Sequence, residues 1–391
     1  MAVRLSPLVG FRISAARIRT TQWSNWRVPM AGPNDVFRFS RTDSEVRNRA
    51  IVAAMTNKQS HEDGSLSDAE IEWLRRRAEG GFGIVTTAAS HVVREGQGWD
   101  GEMGVWGDHQ LPGLRRMAAG IQAHGALSLA QIFHGGMRCP QRLTGVQPVS
   151  ASANETSDSD SGTTRELEDA EVSALVEAFA DAAARCEKAG FDGVEIHGAH
   201  GYLICQFLGT GTNRRTDHWG GSLSNRARFL MKIIERVRDK TGEGFLVGVR
   251  ISPEYRKIGV TLEDSLDLTD MIAESGIDFL HISCWDCFVP SAHSEDPRML
   301  TEIFAERLAR RLPLISCGSV WSTAQAQAVM EQGADFVAVA RSAIGHADWA
   351  SHLGDADYDP QRPPFTPEYL ESQGLSPKFV EYMRAWQGFV V

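Results

Sequence analysis

His197, His200 and Tyr202 fall within one six-residue stretch, HGAHGY. Two imidazoles this close can hold a metal, polarise an oxygen, or satisfy each other as a structural pair. Metal ligation needs a third and fourth ligand, and no nearby carboxylate or cysteine spacing supplies them. The residue types fit a donor pair better: two N–H groups aimed at a carbonyl or nitro oxygen, with a phenol two residues on that can deliver a proton. The spacing of three predicts that the two histidines share a face of a helical turn.

Gln131 and Arg250 stand out for a different reason. Each lies inside a largely apolar run, where a buried polar group needs a partner. Cys317-Gly318-Ser319 and Ala340-Arg341 close two further runs with small residues and a cation, a pattern that suits a phosphate and equally an ordinary tight turn. Cys284-Trp285-Asp286-Cys287 is a CxxC, weak evidence for redox chemistry on its own and better read as a coincidental pair at a pocket rim. Trp285 and Phe288 are candidate pocket walls.

These residues gain meaning from the elements that must position them. Short apolar runs occur at 49–56, 81–87, 126–133, 190–197, 245–252, 277–283, 312–317 and 334–340. Each is too short for a helix and apolar on both faces, as a strand covered on both sides should be. Amphipathic stretches follow them at 67–79, 110–124, 169–189, 223–240, 262–275, 300–311, 323–332 and 343–351. Gly190 is placed to stop one and Ser222 to cap another. Eight strands alternating with eight helices predict an α/β fold, a (β/α)8 TIM barrel. The rival open sheet would carry a glycine-rich phosphate turn after its first strand, and Asn57, Lys58 and Gln59 stand there instead. In a barrel the reactive groups sit at the C-terminal strand ends, which is where the histidines, Tyr202 and the small-residue turns fall.

The expected organisation is an N-terminal extension over 1–34, the barrel over 35–354, and a tail over 355–391 that packs on the barrel or on a neighbouring subunit. The stretch 138–168 is expected to overhang the mouth as a functional or mobile loop. Composition supports a globular protein: 42% apolar and 23% charged residues, with a net charge of −10. No basic excess points to nucleic acid, and no apolar run is long enough to span a bilayer. Six scattered cysteines do not form a disulfide framework, so a reducing cytoplasm is expected. The arginines ahead of Asp35 weakly resemble a transit peptide.

The stretch GFDGVEIHGAHGYLICQFLGTGTNRRTDHWGGSLSNRARF (190–229) resembles the signature of the old yellow enzyme family of NAD(P)H:flavin oxidoreductases. AAMTN at 53–57, AQIFHGG at 130–136, VGVRIS at 247–252, CGS at 317–319 and VAVARSAIGHADW at 337–349 extend the likeness over 35–350, nearer the bacterial branch with HxxH. The resemblance implies an FMN-dependent oxidoreductase that takes hydride from NADH or NADPH and passes it to an activated alkene. It implies that Ala53, Ala54, Met55, Thr56, Thr87, Gln131, Arg250, Gly318, Ser319, Ala340 and Arg341 hold FMN. It assigns the substrate oxygen to His197 and His200 and the proton to Tyr202. Ala54 departs from the family's usual proline. Lys58 stands where some relatives carry a substrate-contacting tyrosine, and Lys58 and Trp285 are expected to face the substrate. The resemblance also implies that Tyr382, Arg384 and Trp386 of the tail reach a neighbour's site, which a homo-oligomer would allow. The expected partner is a small-molecule substrate, with no metal. Two rivals remain: an amine or alcohol dehydrogenase or demethylase on the same flavin, and an inactive barrel serving as a scaffold.

Overall fold

The structure, a computed structural model, describes residues 31–391, so most of the expected extension lies outside it. Eight parallel strands pair in sequence order and the last pairs the first: β1 (Ala50–Val52), β2 (Ile84–His91), β3 (Leu127–Phe133), β4 (Gly193–Gly198), β5 (Leu246–Ile251), β6 (Phe279–Ser283), β7 (Leu314–Cys317) and β8 (Phe336–Val339). The helices α1 (Asp68–Glu79), α2 (Leu111–Gln122), α3 (Asp169–Ala189), α4 (Leu223–Lys240), α5 (Leu262–Ala273), α6 (Leu300–Leu308), α7 (Thr323–Glu331) and α8 (Arg341–Gly345) return the chain between strands and ring the barrel. This is the (β/α)8 barrel expected from the alternation of runs. Gly190 ends α3 at φ 96°, a left-handed cap open to glycine, and the Ser222 side chain accepts from the Asn225 N–H to start α4.

The element ends differ from expectation where the site lies. β1 is three residues long because the chain leaves the ladder after Val52, with Ala53 N–H still donating to Val339 O at 2.9 Å. β2 runs on to His91, and its register against β3 slips between Thr86 and Ala89. Such a bulge re-aims side chains. Here it brings the Thr87 hydroxyl to accept from Gln131 N–H at 3.2 Å. The helix expected over 343–351 is broken into α8 and a 3-10 turn, Trp349–His352. Between them His346 bonds Gln361 O through Nε2 at 2.7 Å.

The stretch 138–168 is fixed rather than an open flap. A short helix (Gln141–Thr144) and a two-residue strand pair, Val149–Ser150 with Arg165–Glu166, give it internal structure. Asn154 Nδ2 donates to Thr212 O at 2.9 Å and Arg215 Nη1 to Leu167 O at 2.6 Å, which tie it to the loop after β4.

The lower end of the barrel is closed by an antiparallel pair, Phe37–Arg38 with Glu45–Val46. It presents Phe37 and Phe39 to Phe336 of β8 at ring distances of 4.7 and 5.7 Å. The tail folds back on its own chain as α9 (Pro367–Ser372) and α10 (Pro377–Met383). Phe379 packs against Trp73 of α1 at 5.3 Å, and Leu370, Val380, Met383 and Phe389 join the core between strands and helices. No helix among the described residues is long and apolar enough to cross a membrane.

Candidate active site

At the upper end of the barrel, alternate residues on β3 to β7 point inward and are polar. Gln131 Nε2 on β3 donates to Glu195 Oε1 on β4 at 2.6 Å, and Glu195 Oε2 meets His281 Nδ1 on β6 at 2.7 Å. Arg250 on β5 donates to Ser283 Oγ at 3.0 Å and Cys317 Sγ at 3.4 Å through Nη2, and to Ala54 O at 3.4 Å through Nη1. Every residue of this layer except Ser283 and Ala54 is buried. Burial opposes the charges, and the partners answer it. Glu195 is destabilised as an anion by burial, yet His281, Arg250 and Gln131 hold it below the ordinary carboxylate value. His281 is pushed down by burial and lifted above its ordinary value by Glu195. Burial would raise the Cys317 thiol, but Arg250 and His281 outweigh it and draw it down to about 6.

The histidine pair stands on this layer, although not on a helix. His197 belongs to β4, and His200 sits in a left-handed turn at φ 60°, a conformation a non-glycine residue adopts at some cost. The turn crosses the two rings at 4.9 Å and 87°. Ala199 N–H donates to His197 Nδ1 at 3.2 Å, so that nitrogen is the acceptor and the proton resides on Nε2. His200 Nε2 bonds Ser283 Oγ at 2.7 Å, which links the pair to Arg250. Burial, joined by the charge of Arg250, keeps both imidazoles well below their ordinary pKa and hence neutral.

Tyr202 closes the constellation. Its ring meets His197 at 5.0 Å and Phe133 at 5.0 Å, both edge-on, and Trp99 at 6.3 Å. The Arg138 guanidinium lies over its outer face at 4.6 Å and donates to His200 O at 3.0 Å. Burial pushes the phenol up to about 12, so it holds its proton at neutral pH.

The other residues singled out in the sequence fall into two groups. Ala53, Ala54, Met55 and Thr56 carry β1 onto the mouth, and Thr87 backs Gln131 from the β2 bulge. Across the mouth, Gly318 (φ 142°) has no room for a side chain, since a Cβ would lie 2.7 Å from Cys284 O. Ser319 Oγ accepts from Arg341 Nη2 at 3.3 Å, immediately after Ala340. Trp285 is 86% exposed. The cysteines beside it are buried rather than on the rim, and Cys287 Sγ donates to Gly318 O at 2.9 Å. Tyr382 reaches its own chain's mouth, with Lys58 Nζ over its ring at 5.0 Å and its phenol beside the Thr56 hydroxyl. Arg384 instead donates to Val391 O at 2.8 Å, and Trp386 is half exposed. Glu195, His281 and Ser283 were not among the residues singled out from the sequence, and Cys317 was noted there only as part of a small-residue turn. The signal was there as a period of two: 195 and 197 on β4, 281 and 283 on β6.

A barrel mouth that gathers neutral imidazole donors, a protonated phenol and a buried guanidinium is equipped to polarise an oxygen and deliver a proton, and none of these side chains carries a hydride. The family model described as "NADH:flavin oxidoreductase / NADH oxidase family" matches residues 39–359, and the chain belongs to that family, the old yellow enzyme family. The chain is 39% identical to the "Probable NADH-dependent flavin oxidoreductase YqiG" of Bacillus subtilis (strain 168), over 78% of this chain and 83% of that one. It is 35% identical to the NADH:fumarate oxidoreductase of Klebsiella pneumoniae (strain 342) over 79% of its length but spans only 34% of that protein. It is 31% identical to the NADPH dehydrogenase of Geobacillus sp. (strain WCH70), over 78% and 88% of the two chains. Among solved structures, the old yellow enzyme homologue from Zymomonas mobilis superposes with a TM-score of 0.75 at 28% identity, covering 89% of this chain and 98% of that one. Morphinone reductase gives 0.73 at 27%, covering 87% and 93%. The enzyme is therefore an NAD(P)H:flavin oxidoreductase with FMN as cofactor and NADH or NADPH as reductant.

The donor set suits FMN. Arg250 Nε and His281 Nε2 are buried with no hydrogen-bond partner among the described residues. Buried donors of this kind call for an acceptor, and a flavin ring offers carbonyl and nitrogen acceptors.

Proposed function

We propose that the enzyme reduces activated C=C bonds, enones and nitroalkenes, with Tyr202 as the proton donor. Bound FMN, reduced by NADH or NADPH, supplies the hydride. In this reading Gln131 and Arg250 face the ring. Ala53, Ala54, Met55 and Thr56 line one edge, and Thr87 holds Gln131 in place. Gly318, Ser319, Ala340 and Arg341 receive the phosphate, for which the Arg341 guanidinium beside the Ser319 hydroxyl is a suitable donor pair.

The observation that carries the reading is the convergence of His197, His200 and Tyr202 on one spot above the Gln131–Arg250 layer. Each neutral imidazole keeps one N–H that can donate to a substrate oxygen, and their donation draws electron density from the β-carbon. Tyr202, held by His197, Phe133 and Arg138, keeps its proton until the α-carbon becomes basic enough to take it. Positioning of this kind converts an encounter into an effectively unimolecular step. Six free cysteines fit a reducing cytoplasm, where we place the enzyme.

The test is anaerobic turnover of FMN-loaded enzyme with NADH or NADPH and a panel of enones, nitroalkenes and nitrate esters. Reduced alkene formed in step with NAD(P)H consumption is expected. Oxidation of an amine or alcohol with no need for NAD(P)H, and no alkene reduction, overturns the reading in favour of a dehydrogenase.

A further inference from the structure

Lys58 and Arg138 flank the mouth, and neither forms an ion pair with a carboxylate among the described residues. The acids nearest them are engaged or neutral. Asp100 is taken by Arg142 at 2.9 Å. Glu102 is buried against His91 at 2.8 Å, with burial raising its pKa well above the ordinary carboxylate value. The chain as a whole carries a net charge of −10, so a cationic mouth runs against its overall balance. A cleft of one sign concentrates ligands of the other.

Both cations are held in place. Lys58 sits at φ 58°, a left-handed backbone for a long side chain. Its neighbours fix that turn. Asn57 Oδ1 accepts from Gln59 N–H at 2.9 Å, Asn57 Nδ2 donates to Glu70 at 2.8 Å, and Ser376 of the tail bonds Gln59 Oε1 at 2.5 Å. Strain persists only where surroundings over-determine it, and here the result is to aim the ammonium across the Tyr382 ring. Arg138 is anchored by one N–H on His200 O and by its plane on Tyr202, which leaves its other donors open at the rim. Tyr382 joins the two sides: it carries Lys58 on its face, and its phenol is close enough to feel the Arg138 charge.

We propose that Lys58 and Arg138 form an anion-binding subsite beside the proposed proton donor, and that the preferred substrate is an activated alkene bearing a carboxylate at the end remote from the oxygen held by His197 and His200. This rests on the alkene-reducing reading and names its substrate class. The subsite pairs a point charge, Lys58, with a fork, Arg138, so the carboxylate is drawn in by the first and oriented by the second. A substrate carboxylate suits the pair better than a dinucleotide diphosphate does. Lys58 lies two residues past Thr56, is partly buried, and holds its ammonium 5.0 Å over the ring of Tyr382, whose phenol is beside Thr56.

The test compares monomethyl fumarate with dimethyl fumarate, nearly the same size and differing in one charge, on FMN-loaded enzyme with NADH at low salt. The wild type is expected to favour the monoester in kcat/KM, although its carboxylate activates the alkene less than an ester does. The monoester-to-diester ratio should fall at least tenfold in Lys58→Gln and in Arg138→Gln, recover in part in Lys58→Arg, and drop further in Lys58→Glu. Salt should lower the wild-type ratio. An unchanged ratio in both Gln variants overturns the subsite while leaving alkene reduction standing. A larger rise in KM for NADH than for the monoester, in both variants, assigns the cations to the dinucleotide and overturns the carboxylate. If neither ester is reduced while the enones or nitroalkenes are, the carboxylate-bearing substrate class is overturned, and if no alkene is reduced the alkene reading itself fails. Titration of the oxidised flavin spectrum with monomethyl and dimethyl succinate then decides the subsite alone: tighter binding of the monoester, lost in Lys58→Gln, supports it, and equal binding overturns it.

Discussion

The two ends of this barrel are built from the same strands and have opposite chemistry. On β6, Phe279 points into the lower interior, His281 into the middle, and Ser283 into the mouth, each two residues above the last. Below, Phe37, Phe39, Phe279 and Phe336 interlock, Phe39 lying 5.7 Å from Phe336 with the rings nearly parallel, and the one cation that touches them, Arg49, lies 5.0 Å over the Phe37 ring. Above, Gln131, Glu195 and His281 form one hydrogen-bonded chain and Arg250 and Cys317 a second beside it, all of them buried. The aromatic plug of the lower end gains free energy mainly from area removed from water. The upper end is held together by partners, and two of its donors, Arg250 Nε and His281 Nε2, are without one among the described residues. The contrast separates stability from binding along a rise of about 3.3 Å per residue.

That separation can be broken most forcefully from below. Phe336→Ala should cost about 3–5 kcal/mol of stability, read from urea unfolding, while the FMN absorbance spectrum of the folded fraction stays that of the wild type. A spectrum that changes as much as the stability would mean the two ends are coupled. From above, Glu195→Gln exchanges an ion pair with His281 for a neutral contact. A loss of about 1.5–3 kcal/mol is expected, accompanied by a measurable shift in the flavin spectrum, since Gln131 and His281 must find new geometry. A loss with no spectral change would place the flavin away from this layer.

Acid should distinguish the ends without mutation. His91 and His134 are held by burial at about 3, and His197 and His200 well below the ordinary value. In the unfolded chain these imidazoles take up protons near pH 6.5. The unfolded state therefore binds more protons below that value, and stability falls as pH drops from about 6.5 towards 3. His281, raised above its ordinary value, loses stabilisation only as pH climbs above 6.5, whereas Glu70 and Glu102, raised by burial, gain stabilisation on acidification and offset part of the acid limb that the four histidines set. Urea midpoints at pH 5 should lie below those at pH 7.5, and equal midpoints would contradict the neutral assignment. The smallest effect is expected outside both ends: Trp285→Ala, at an 86% exposed position, should change stability within about 0.5 kcal/mol.

Much of this was legible in the sequence. The eight apolar runs became the eight strands, and the caps at Gly190 and Ser222 sit where composition put them. What misled was local geometry. His197 and His200 are three apart, which suggests a helical turn, yet a strand end followed by one left-handed residue brings the rings together instead. Glu195 and His281 carry no strand-end signal, because the charge that supports Arg250 sits within the strands. The resemblance sent the tail's Tyr382 to a neighbour's site, whereas it reaches the mouth of its own chain. Its approach to Lys58 depends on how α10 docks on α1 through Phe379 and Trp73, a long-range contact with no local pattern.

The account stands on Tyr202 acting on the substrate and not on the flavin. Tyr202→Phe, followed anaerobically by stopped flow, separates the two half-reactions. Flavin reduction by NADH should keep a rate within about twofold of the wild type. Flavin reoxidation by an enone should slow by about 10²-fold, the scale of a lost proton donor. Equal slowing of both half-reactions, or of neither, would contradict it.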